Sequence, residues 1–79
     1  MKPEASMIQM TRAEQETQTE AKRLNTQVEA ALAAVAARSS TDVEQLEACA
    51  DRLERAARDL AVALRELAHE RRRMANEAS

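Results

Sequence analysis

The sequence has no glycine, no phenylalanine, no tyrosine and no tryptophan, and only one proline and one cysteine. Each absence excludes something. Without glycine there is no backbone loop of the kind that cradles phosphate. Without aromatics there is no large aromatic core, and nothing to stack on nucleic-acid bases. The single cysteine, Cys49, cannot close an internal disulfide and suits a reducing compartment. No apolar run approaches the roughly 18 residues of a membrane span. Met1-Lys2-Pro3-Glu4 lacks the apolar stretch of a signal peptide, so a cytoplasmic location is expected. Export by a route without a cleaved signal stays open.

What remains is helix-forming. The chain of 79 residues carries 12 basic and 14 acidic side chains, for a net charge of −2. That balance gives no general pull toward nucleic acid or acidic membranes. Ala, Leu, Arg, Glu and Gln dominate, and these are strong helix formers. The length allows one domain, residues 1–79, with a core too small to need no help. After Pro3 nothing breaks a helix except Arg38-Ser39-Ser40-Thr41-Asp42, whose short polar side chains favour caps and turns. Thr41 and Glu44 have the spacing of a capping box, and Asp42 suits the positive end of a helix dipole.

The second half carries a clear heptad. Leu46, Leu53, Leu60, Leu67 and Met74 recur every seven residues at d positions. Val43, Ala50, Ala57, Leu64 and Arg71 take the a positions. Asp51 with Arg55 and Glu54 with Arg58 have helical ion-pair spacing, worth about 0.2–0.5 kcal/mol each. In the first half, Ala21, Val28 and Val35 fall at a, and Leu24 and Ala31 at d. Met7 and Met10 extend that pattern backward, but Glu14 and Thr17 interrupt it. The phases of the two halves are offset by one residue. A turn between Ser40 and Thr41 explains the offset. Val35 then faces Leu46, Val28 faces Leu53 and Leu24 faces Ala57. An unbroken helix with a one-residue skip is the alternative.

The expected fold is therefore all-α: an antiparallel two-helix coiled-coil hairpin, completed by dimerisation or by a partner into a helical bundle. Its first helix is expected at about 5–38, its turn at 39–41 and its second helix at about 42–76, with residues 1–20 ordered only against a partner. The intramolecular core is expected to comprise Leu24, Val28, Val35, Leu46, Leu53 and Ala57. Two features are left over. Glu14, Thr17 and Ala21 face Leu60, Leu64 and Leu67, a mismatch far from the turn. Leu32 lies off the seam. Leu32, Leu60, Leu64 and Leu67 are thus the expected partner-binding residues.

Other chemistry finds little support. His69, the only histidine, sits at an outward f position, with no second histidine or cysteine to complete a metal site. Cys49, at g, is expected to be a small buried hydrophobe, with an intermolecular disulfide or reactive thiol as the alternative. It does not neighbour His69, so no Cys–His nucleophile is suggested. No enzyme activity, metal or cofactor is expected. Arg52, Arg55 and Arg58 form a row, and Arg71-Arg72-Arg73 follow near the end. Acidic residues interleave the row, and cations suit a helix C-terminus. An RNA-binding hairpin dimer is the alternative function, and a purely structural rod is another.

Residues 21–68 resemble the small helical-hairpin chaperone subunits of type III secretion systems. The likeness lies in Leu24-Asn25-Thr26-Gln27-Val28-Glu29-Ala30-Ala31-Leu32, a short polar turn, then Val43-Glu44-Gln45-Leu46 opening a Leu/Ala-rich arm. The aromatic and glycine often found near that family's turn are absent, and the polar N-terminal arm is longer. The resemblance implies a hetero-complex through the leucine faces. From the residues themselves, the expected function is protein–protein interaction, as a small adaptor or chaperone-like hairpin. Its partner would be itself or another helical protein, with no membrane, nucleic acid or small-molecule substrate.

Overall fold

A computed structural model describes residues 9–37 and 43–78. Among them are two helices, α1 (Arg12–Ala37) and α2 (Val43–Ala78). They pack along their length as an antiparallel hairpin, 58 Å along its longest axis. The expected turn, the Thr41 half of its capping box, and Met7 lie outside the described residues.

Helix α1 begins at Arg12, later than the heptad alone implies, because Thr11 caps it. The Thr11 N–H donates to Glu14 Oε1 at 2.9 Å, and the Glu14 N–H donates to Thr11 Oγ1 at 3.2 Å. This reciprocal box satisfies two backbone N–H donors that a bare helix end would leave unpaired. The Thr11 carbonyl accepts the first helical bond, from the Gln15 N–H at 2.9 Å.

The register matches the sequence expectation. Thr11 and Glu70, equidistant from the Ser40–Thr41 bond, are joined by a hydrogen bond of 2.9 Å. The rotation of the helices does not match. The most buried side chains of α2 are Cys49, Ala56 and Ala63, at 7%, 4% and 6% exposure. These are g positions, on the far side of the d leucines from the expected a residues. Helix α1 rotates likewise: Glu20, Gln27 and Ala34 are less exposed than Ala21, Val28 and Val35. The seam is thus d with g, where d with a was expected.

A physical reason is visible in the side chains. Alanine and cysteine at g let the backbones approach toward the short end of the usual 8–10 Å interaxial range. Valine and leucine at a would hold them further apart. Close approach favours dispersion contact along the whole seam, at the cost of leaving the bulkier a residues outside. No large side chain is fully buried among the described residues. The accessible surface is 6402 Å². A compact monomer of 8.8 kDa would expose about 4,800 Å². An isolated hairpin is an open shape, and much of its apolar surface stays wet.

Candidate interaction surface

Because both helices rotate in the same sense, their a and e positions emerge on one side of the hairpin. The groove there is lined by Met10, Thr17, Gln18, Ala21, Leu67 and the Glu14–Arg71 pair. The opposite side carries the c, f and g residues. Its grooves are lined by Ala30, Ala34, Gln45 and Arg52 near the turn, and by Glu16, Glu66, Glu70 and Arg73 far from it. Among the described residues, every exposed large apolar side chain except Val62 belongs to the first side or its edge. Leu32 is 66% exposed and Val35 is 71% exposed, and Val28, Val43, Leu46 and Leu64 are also open to solvent.

Several residues of the expected core therefore lie on the surface, and two of the expected partner-binding residues lie in the seam. Leu24 and Leu53 are half-buried on the seam. Val28, Val35 and Ala57 are exposed because the rotation turns a outward, and Leu46, a d residue at the turn end, is 44% exposed. Of the four partner candidates, Leu32 and Leu64 are exposed on the open side. Leu60 and Leu67 are half-buried within the hairpin seam. The structure thus brings Leu32 and Leu64 together with Val28, Val35 and Ala57 on one surface. The residues missed as surface are the a positions. Their signal was the seven-residue repeat of small residues Cys49, Ala56 and Ala63 beside the leucines.

The mismatch expected far from the turn is resolved by hydrogen bonding. Thr17 Oγ1 lies 2.9 Å from the Ala13 carbonyl oxygen and 3.2 Å from that of Ala63, so its hydroxyl donates within α1 and toward α2. Glu14 does not bury its charge unpaired against Leu67. Arg71 Nη2 donates to its Oε2 at 3.1 Å, and 29% of its side chain stays exposed. The Thr11 N–H, then the Arg71 guanidinium, hold the Glu14 carboxyl below its ordinary pKa of 4.5. Partial desolvation opposes them.

Cys49 is a free, buried thiol. His69 lies twenty positions along α2 from it, about 30 Å at the helical rise. No group of three or more metal-ligating side chains occurs among the described residues. No helix among them is long and apolar enough to cross a membrane. Several of the described arginines lie beside carboxylates. Arg52 and Arg55 line a groove with Asp59, Arg71 is tied to Glu14, and Arg73 shares a groove with Glu66 and Glu70.

The fold and surface define an α-hairpin with one apolar side and one charged side. No family model, curated protein or solved structure matches the chain.

Proposed function

We propose that this chain is a protein-interaction module, a small adaptor or chaperone-like hairpin that docks another helical surface on its apolar side. One observation carries the reading: among the described residues, with Val62 excepted, the exposed large apolar side chains lie on a single side or its edge. A full leucine contributes about 1.5–3 kcal/mol when buried. Covering Leu32, Leu64 and the valines beside them would supply the affinity of a micromolar or tighter complex. The resemblance of residues 21–68 to hairpin chaperone subunits supports the chaperone-like form, in a cytoplasmic setting where Cys49 stays reduced. Catalysis has no support in the spacing of His69 and Cys49. The chain holds no aromatic side chain to stack on bases, which leaves RNA binding with less support.

The test uses the full chain immobilised as bait in an extract of its source cells. Leu32→Asp and Leu64→Asp place a charge on the apolar side, and Val62→Asp places one on the other. A protein retained by the wild type and by Val62→Asp, but lost from both leucine variants, is the expected result. Equal retention by all four baits would overturn the assignment of the surface.

A further inference from the structure

The apolar side is bordered by charges that are sorted along its length. Around the turn-proximal half, the b and e positions hold Glu29 on α1 and Glu44, Glu47, Asp51 and Glu54 on α2, with no base among them. Around the remote half they hold Lys22 on α1 and Arg58, Arg65 and Arg72 on α2, with no acid. None of these side chains forms an ion pair with another described residue. The Asp51–Arg55 and Glu54–Arg58 pairs that helical spacing allows are not made. On the other side of the hairpin, charges are mixed, and Arg12–Glu16 and Arg23–Glu20 pair locally at 3.6 and 3.0 Å.

Large apolar side chains are exposed in both halves: Val28, Leu32, Val35 and Leu46 toward the turn, and Met10, Leu64 and Met74 toward the remote end. Negative charge borders one end and positive charge the other. Two such surfaces repel when stacked in the same direction. Stacked in opposite directions, each end meets its complement in charge.

We propose that the apolar side binds the same side of a second copy of this chain. The two hairpins lie antiparallel about a two-fold axis near Ala57, forming a four-helix bundle. The proposal rests on the reading of this side as an interaction surface and names its occupant. Ala57 lies midway along the paired region, so a two-fold axis there overlaps the hairpins fully. The axis sets Ala50 against Leu64 of the other copy and Val43 near its Arg71, an isologous contact in which each patch serves twice. The area is adequate. The 26 residues of α1 give a paired length of about 40 Å. Two helices side by side are about 20 Å wide, for a footprint near the ~800 Å² per partner of a standard interface.

The experiment is sedimentation equilibrium of the full chain at low salt, with circular dichroism to check helicity. The acidic border is reversed in one variant (Glu47→Lys, Asp51→Lys, Glu54→Lys) and the basic border in another (Arg58→Glu, Arg65→Glu, Arg72→Glu). The wild type is expected to be a dimer at micromolar concentration, each variant alone to dissociate, and their equimolar mixture to form a heterodimer. Should a variant lose its helices alone, the wild type still decides. Its dissociation constant is expected to rise about tenfold or more from low to high salt. A donor at residue 43 of one copy should then transfer energy efficiently to an acceptor at residue 74 of the other. Parallel copies would hold those labels about 45 Å apart. A wild-type monomer throughout the micromolar range overturns the second copy as occupant. So does a dimer insensitive to both salt and charge reversal, or one whose labels are far apart. A monomer whose leucine variants still lose a captured protein leaves the interaction surface standing with a different occupant. A monomer that captures nothing removes both.

Discussion

The hydroxyl of Thr17 in α1 lies 3.2 Å from the backbone carbonyl oxygen of Ala63 in α2. A side chain this short reaches the backbone of a neighbouring helix only where the two helices are close. Ala63, with Ala56 and Cys49 at the preceding g positions, allows that approach. The same approach displaces the bulkier a residues to the surface. The contact and the exposed valines are two consequences of one rotation.

Enlarging the seam residues should therefore be costly. Ala63→Leu and Ala56→Leu are expected to lower stability by about 1–3 kcal/mol through overpacking. Ala57→Leu, one position along but on the open side, should cost little or nothing in the isolated hairpin. Thermal unfolding followed by circular dichroism compares the three. Equal loss at positions 56 and 57 would mean that the seam is not where the structure places it.

Gln27 occupies a g position, and its Oε1 is buried without a hydrogen-bond partner. An unsatisfied buried acceptor costs about 1–3 kcal/mol. Gln27→Leu replaces it with an apolar side chain of similar volume. The variant is expected to be more stable than the wild type by about 1 kcal/mol, measured by urea unfolding. A less stable variant would show that the amide finds a partner in solution.

The end remote from the turn should be acid-sensitive. The Glu14 carboxyl is held below its ordinary 4.5 by the Thr11 N–H and by Arg71. Stability gained from a depressed carboxylate pKa is present in full above 4.5 and is lost as pH falls through the lower folded value. Carbon-detected NMR titration should find the Glu14 carboxyl below its ordinary 4.5. In Arg71→Gln its pKa should move up toward 4.5. No movement would remove Arg71 as a cause.

Much of the fold was legible because its leucines are periodic. Leu46, Leu53, Leu60 and Leu67 fix a helix and one edge of its buried stripe, and the polar run at 38–42 with the offset in phase gave direction and register. The second edge of the stripe was not legible by bulk alone. In α2 both candidate edges are apolar, Val43-Ala50-Ala57-Leu64 on one flank and Cys49-Ala56-Ala63 on the other. In α1 the choice by hydrophobicity points the wrong way, since Val28 and Val35 outweigh Gln27 and Ala34. Close packing of small residues outweighs burial of larger ones, a balance that periodicity does not express. The cap at Thr11–Glu14 has the same Thr-x-x-Glu spacing as Thr41–Glu44. Its Glu14 falls at an a position of the heptad, where a carboxylate reads as an interruption, and that masks the cap. Of the surface, Leu32 is legible because it lies off any seam, whereas the heptad phase points Val28 and Val35 inward.

The account stands on the rotation that puts g inside and a outside, and thiol reactivity tests it most directly. In the Leu64→Asp background, which keeps the chain from associating through its apolar side, alkylation of Cys49 is compared with that of Ala57→Cys in a chain lacking Cys49. Both rates are normalised to the unfolded protein. The structure predicts a strongly protected Cys49 and a thiol at position 57 that reacts nearly as fast as in the unfolded chain. A protected thiol at 57 beside a reactive Cys49 would restore the d-and-a seam and contradict the open apolar side.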